Sequence, residues 1–340
     1  MGGAWFGLLS AISFGVSAPL AARLVGHADP QALSGLLYAG AALVLAPWSR
    51  RPAVRQAAVD LPRSQVPRLV AIIASGGVVA PVLLLLGLRR VGGLTGSLLL
   101  NLEAVLTIAV ALVLFGERLT RRGWTAAALT IGGAVLLAGD GHGGRTHLSG
   151  VGLVVAACAC WALDNNLTVR LAAWDPTRLV LTKASASAIV NTAIALARGA
   201  RYPSAALIVA TLVLGAVSYG VSVLLDAYAL RELGAAREAA LFAVAPFAGA
   251  ALAPFVTDAR FDTPTTVAGA LMVAGVAALV IPERSIEHTH SSIEHEHPHD
   301  HDDHHAHVHL ASDPPGPRHS HPHRHEVLTH AHVHRVDGHH

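Results

Sequence analysis

Leu88–Ala138 reads LRRVGGLTGSLLLNLEAVLTIAVALVLFGERLTRRGWTAAALTIGGAVLLA, and its layout decides the fold. Two apolar segments, each near the length of a bilayer crossing, flank the polar hinge Phe115-Gly116-Glu117-Arg118-Leu119-Thr120-Arg121-Arg122-Gly123. A weaker copy starts at Leu230 (LRELGAAREAALFAVAPFAGAALAPFVTD) and continues as FDTPTTVAGALMVAGVAALV. Leu88-Arg89 falls on Leu230-Arg231 and Gly92 on Gly234 at a shift of 142 residues; Phe115-Gly116-Glu117 falls on Val256-Thr257-Asp258 at 141. Internal duplication of this kind marks membrane chains whose two copies enclose a shared polar site.

Outward from this stretch the chain divides into two unlike parts. Apolar residues make up 53% and charged ones 14%, with a mean hydropathy of +0.50, which does not describe a soluble globule. Residues 1–281 are almost continuously hydrophobic, whereas 282–340 hold 19 of the 22 histidines and ten acidic residues against four basic ones. The net charge of +2 therefore averages a basic body and an acidic tail, and gives no ground for nucleic-acid binding. The two cysteines, Cys158 and Cys160, lie two apart on a helix and point away from each other, so a mutual disulfide is not expected. Gly3–Val25 is too long for the apolar region of a cleaved signal and reads as the first membrane helix.

A crossing takes about 20 apolar residues. The chain offers ten such segments: Gly3–Val25, Gln31–Trp48, Val66–Leu88, Leu94–Phe115 and Gly123–Ala138, then Leu148–Val169, Thr177–Ala197, Ser204–Ala229, Ala235–Val256 and Thr263–Ile281. The expected fold is all-α and polytopic: ten transmembrane helices as two inverted five-helix repeats, 3–138 and 148–281, with a disordered His-rich tail at 282–340. Arginine sets the orientation. Placing the N-terminus inside puts twelve arginines of the body on inner loops and seven on outer ones, so both termini are expected in the cytoplasm, with the protein in the plasma (bacterial inner) membrane. An odd number of helices per repeat makes the halves insert upside down relative to each other. Small residues four apart (Gly3 and Gly7, Ala128 and Gly132) suit close helix packing. Pro19, Pro81, Pro246 and Pro254 lie inside apolar segments and should kink them or locally free the backbone, Pro246 deep in the ninth helix.

A carboxylate near the bilayer centre costs about 2.5–3.5 kcal/mol on insertion scales, so each one needs a reason. Asp164 lies well inside the sixth segment, beside Asn165, Asn166 and Thr168, with Trp161 a turn before. Glu103 and Asn101 lie in the fourth, Lys183 (the chain's one lysine) in the seventh and Asp226 near the end of the eighth. These residues are the expected substrate pathway, with Glu103 and Asp164 binding a cation, a proton or an amine; the competing structural reading pairs Asp164 with Lys183.

The duplicated ten-helix plan, with Leu102-Glu103 early in the fourth helix, Phe115-Gly116-Glu117-Arg118-Leu119-Thr120 at its end and the glycine-containing helix Trp124–Ala138 after it, resembles the drug/metabolite transporter superfamily and, within it, the EamA-like family. The likeness spans about residues 3–281. Two departures stand out: Thr257-Asp258 replaces Gly-Glu in the second copy, and Cys160-Trp161-Ala162-Leu163-Asp164-Asn165-Asn166-Leu167-Thr168 is unusually polar. The resemblance implies secondary transport of a small solute, as an exporter working by alternating access through a central cavity, as a monomer or homodimer in the lipid bilayer. No cofactor is required on this reading.

In the tail His295, His297, His299, His301, His304, His305, His307, His309, His319, His321, His323, His325, His330, His332 and His334 recur at short spacings among acidic residues. Such a chain suits Zn, Ni or Co. The echo of Ser285-Ile286-Glu287-His288 in Ser292-Ile293-Glu294-His295 speaks against an expression tag. A divalent metal ion (Ni, Co or Zn) as the transported solute, and a membrane-anchored metal buffer or sensor without transport, are the alternatives. An enzyme is not expected: the chain has no P-loop, nucleophile elbow or HExxH.

Overall fold

The computed structural model describes residues 2–49, 61–115, 120–139, 144–171, 174–233, 241–280, 286–290, 293–300, 318–325 and 328–332. They fall into two units, Met1–Val280 and Ile281–His340. The hinge residues 116–119 lie outside the described residues, as do His301, His304, His305, His307, His309 and His334.

The first unit is helical. In chain order its α-helices are α1 (Gly2–Gly15), α2 (Ser17–Leu24), α3 (Pro30–Ser49), α4 (Val66–Ile72), α5 (Ala80–Leu99), α6 (Leu102–Phe115), α7 (Arg121–Gly139), α8 (Gly144–Val169), α9 (Pro176–Ala197), α10 (Ala205–Gly215), α11 (Ser222–Leu233), α12 (Ala245–Val256) and α13 (Thr263–Val280). Two π-helical stretches join them: Ile73–Val79 between α4 and α5, and Ala216–Val221 between α10 and α11. Among the described residues, six helical runs have the length and composition to cross a membrane: Gly3–Leu24, Pro30–Ser49, Arg63–Leu99, His147–Val169, Pro176–Ala197 and Ala205–Asp226. Three shorter apolar helices, Leu102–Val113, Ala245–Val256 and Thr263–Ala278, accompany them. The first unit is thus the all-α body of a multi-pass membrane protein. Large apolar side chains such as Val113 and Phe255 stand exposed on its outside, as a lipid-facing surface requires.

Local chemistry explains where helices start and bend. Asp29 accepts a hydrogen bond from the Gln31 N–H (2.8 Å) and Asp175 one from the Arg178 N–H (3.1 Å), each directly before a proline that opens its helix, α3 or α9. The first course bends at Val16, because Pro19 has no N–H to offer the Gly15 carbonyl. Gly92, at φ +76°, turns the chain within α5 between the third and fourth expected segments. The ninth segment breaks at Ala243-Val244, directly before Pro246, which then lies in the first turn of α12.

The halves pack reciprocally. α3 lies along α9 and α7 along α13, while α8 packs on the π stretch and α5 of the first half, and α1 on the π stretch and α11 of the second. Contact is closest where side chains vanish: Gly40 meets the Leu212 carbonyl and Gly215 the Leu37 carbonyl, so α3 and α10 touch backbone to backbone. Gly3 and Gly7 also pack tightly, but Gly132 faces open space within 4 Å, so that spacing on α7 serves no close contact.

In the second unit the composition predicts disorder, whereas the described residues pair as extended strands. β1 (Ile286–His290) runs antiparallel to β4 (Leu328–His332), and β2 (Ile293–Asp300) to β3 (Arg318–His325). The register sets His295 opposite His323, His297 opposite His321 and His299 opposite His319. His330 pairs with His288, His325 with Ile293 and His332 with Ile286. Strict alternation of histidine with other residues keeps a period of two, which an extended chain accommodates.

Candidate functional site

The site grows from a helix that lacks one donor. Pro81 has no N–H. In an α-helix that N–H would serve the Gly77 carbonyl, and in π geometry the Gly76 carbonyl. The Ala80 N–H is already bonded to the Ser75 carbonyl. Gly76 is left with an acceptor facing the bundle, and two side chains from other helices reach it. The Tyr38 hydroxyl of α3 donates at 2.8 Å and the Trp161 Nε1 of α8 at 3.1 Å. The Gly77 carbonyl accepts from Asn191 Nδ2 of α9 at 3.0 Å, and Asn191 Oδ1 in turn accepts from Gln31 Nε2 at 2.6 Å. Three helices are thereby tied to one irregular turn, in a medium that offers no water to do it.

The charged group sits against that turn. Asp164 is 2% exposed, and its Oδ2 forms an ion pair with Lys183 Nζ across α8 and α9. Oδ1 accepts from Thr168 at 3.3 Å. A methyl group on Gly76 would strike the Asp164 carboxylate, and one on Gly77 the Ser187 hydroxyl, so the glycine pair makes the space both occupy. Lys183, Ser187 and Asn191 follow one another at four-residue spacing along α9, giving a polar stripe on one face. Lys183 is 21% exposed, so the pair is reached from the lysine side.

One residue along α8, Asn165 donates to Glu103 Oε1 at 2.9 Å. Glu103 is half-buried and within electrostatic reach of both Asp164 and Lys183. The other expected pathway residues serve the backbone. Asn166 donates to the Thr107 and Ala162 carbonyls (3.0 and 2.8 Å), and Asn101 to the Leu98 carbonyl (2.8 Å), beside Met272 Sδ at 3.8 Å. Asp226, half-buried in α11, makes no hydrogen bond or ion pair with this cluster. The structure therefore pairs Asp164 with Lys183 and Asn165 with Glu103, and sets Trp161 on the turn beside Asp164. It adds Tyr38, Gln31, Asn191, Ser187 and the Gly76-Gly77 turn, which sequence reasoning passed over. The Gly-Gly pair four residues before a proline was the visible signal.

The corresponding place in the second half is built from other materials. The stretch Ala216–Val221 has no proline after it, and its Tyr219 packs at a tilt against Tyr38 (5.6 Å between ring centroids) and Phe14 (5.9 Å). The ion pair sits at the first stretch, and Tyr38 bridges from it to the aromatic rings at the second. A cavity of about 810 Å³ opens elsewhere, between Arg23, Arg89, Gly92, Pro254, Asp258 and Arg260. It lies at one end of the bundle and includes none of the cluster residues.

Comparison with known proteins agrees with this architecture. The model of the EamA-like transporter family matches twice, over residues 1–139 and 148–281. An uncharacterized transporter of Methanothermobacter thermautotrophicus is 31% identical over 209 residues, which is 59% of this chain and 61% of that protein's length. A solved crystal structure superposes with a TM-score of 0.62 at 19% identity, covering 82% of this chain and 98% of the other, a likeness of fold alone.

Proposed function

The chain belongs to the EamA-like transporter family, and from that premise we propose that it crosses the bacterial inner membrane ten times, with both termini in the cytoplasm, and exports a small solute by alternating access. The two family matches, one per half, support an inverted pair of five-helix repeats. The observation that carries the reading is the ion pair between Asp164 and Lys183 within apolar helices, with the Asn165–Glu103 hydrogen bond in electrostatic reach of it. Charges at such depth are costly, and they persist where a solute or ion passes. The closed packing around Asp164 and the cavity at one end fit a state in which the polar centre is shut off from that mouth. Asp164 pairs with the one ammonium and Glu103 stands within electrostatic reach of it, an acidic surrounding that favours a cationic solute, or a proton, over an anion.

The test is a growth-inhibition panel of amines, amphipathic cations and metals on cells with and without the gene, together with Asp164→Asn and Glu103→Gln. Resistance that depends on the gene and is lost in both variants is expected. Gene-dependent resistance that both variants keep in full would overturn the role given to this cluster.

A second reading follows from the histidines of the tail: the solute is a divalent metal ion such as Ni, Co or Zn, or the chain is a metal buffer or sensor. Among the described residues no group of three or more His, Cys, Asp or Glu side chains converges to hold such an ion, which favours the organic solute for the helical body. On our reading the tail binds divalent metal at the cytoplasmic face and regulates the carrier, so removing residues 282–340 should leave flux in place.

A further inference from the structure

Lys183 occupies a socket whose walls suit any ammonium, not only its own. Asp164 supplies a carboxylate that is almost wholly buried, closed behind by the Gly76 backbone and steadied by Thr168. One turn along α9, the Ser187 hydroxyl is fully buried and has no hydrogen-bond partner among the described residues. That hydroxyl lies against Gly77, beside the Lys183 side chain. An orphaned buried hydroxyl costs stability unless something uses it in another state. Apart from the hydroxyls of Thr168 and Ser187, the donor to the Asp164 carboxylate is the lysine head, which arrives from the accessible side.

We propose that this socket is an ammonium-binding site, filled in this conformation by Lys183, and that the transported solute carries a compact protonated amine that takes the lysine's place. The inference rests on the reading that the Asp164 cluster faces the solute's path. The exchange is physically economical because like replaces like. Asp164 passes from one ammonium to another and never stands unpaired in a dry interior, the arrangement that disfavours a simple opening of the pair. The displaced lysine has a destination. Glu103 is within electrostatic reach of Lys183 and holds only the neutral amide of Asn165 as its hydrogen-bond donor among the described residues. The second carboxylate, surplus while Lys183 sits on Asp164, is then what receives it. Ser187 acquires the donor it lacks when an amine with several N–H groups enters. No bond is made or broken and no proton changes hands.

The experiment uses the full-length protein in detergent and in liposomes. Lys183→Ala empties the socket and should melt at a lower temperature. Methylammonium, at matched ionic strength, should restore at least half of that loss. Sodium and tetramethylammonium, which bring charge without N–H donors, should not, and Lys183→Ala combined with Asp164→Asn should respond to none. In liposomes the wild-type protein should exchange labelled methylammonium, with at least a tenfold loss in Asp164→Asn. Equal rescue by sodium, or no rescue, refutes the ammonium site. Rescue without wild-type exchange refutes the amine as cargo. If Lys183→Ala does not fold, the liposome arm decides alone. Gene-dependent, Asp164-dependent export of a solute with no amine would sink this inference while leaving the proposed function standing.

Discussion

Removing the partners of the Asp164–Lys183 pair singly and together should show how strongly this centre holds the bundle. Lys183→Ala strands a carboxylate that is 2% exposed, and breaking a buried pair in this way costs about 3–5 kcal/mol. Asp164→Asn leaves the charge on a side chain that is 21% exposed. That ammonium can turn toward the accessible side, so the cost should be nearer about 1–3 kcal/mol, the loss of a charged hydrogen bond. The double variant removes both charges and should be more stable than Lys183→Ala alone. The three together define a coupling of about 2 kcal/mol or more, read from unfolding of the purified protein in detergent. Single effects that add to within about 0.5 kcal/mol would mean that the two side chains do not stabilise each other, and the reasoning would fail.

Pro81→Ala returns an N–H to the Gly76-Gly77 turn, where it competes with Tyr38, Trp161 and Asn191. In a background keeping Trp161 as the sole tryptophan, its emission should shift, and an unchanged spectrum counts against the account of the freed carbonyl. Gly215→Val forces a side chain onto the Leu37 backbone and should destabilise by more than about 2 kcal/mol, whereas Gly132→Ala, with nothing within 4 Å, should stay within about 0.5 kcal/mol of the parent. The full chain should bind Ni²⁺ or Zn²⁺ at about pH 7.5, and a chain ending at residue 281 should not. Imidazole ligates when neutral and is protonated below about pH 6.5, so affinity must fall as the pH drops; calorimetry giving the same affinity at about pH 5.5 would exclude histidine as the ligand.

Much of this was readable from the chain, and the remainder was hidden for physical reasons. Apolar runs announce helices, and the duplicated Leu88–Ala138 pattern announces the repeat, because both are local in sequence. Asp29-Pro30 and Asp175-Pro176 are a further repeated mark, each capping the second helix of its half. Asp164 draws notice as a carboxylate inside an apolar segment. Its partner could be offered but not chosen over solvent or solute, since Lys183 comes from the next helix and the meeting depends on how α8 and α9 cross. Ser187 and Asn191 read as ordinary polar residues until the Gly76-Gly77 turn is seen against them. The π geometry itself follows from which N–H the Ser75 carbonyl receives, and no residue type states that.

The missing N–H of Pro81 has one more effect. A regular membrane helix is self-sufficient and can slide or rotate against its neighbours with little penalty. Here one acceptor depends on borrowed donors from α3 and α8, and in oil it has no other source. Those helices are therefore obliged to travel with the third segment whenever it moves. The third segment, α3 and α8 should shift as one block that spans both halves, while the stretch Ala216–Val221, tied to α1 by the Ser218 hydroxyl on the Ser13 carbonyl at 2.6 Å, should move with α1 instead.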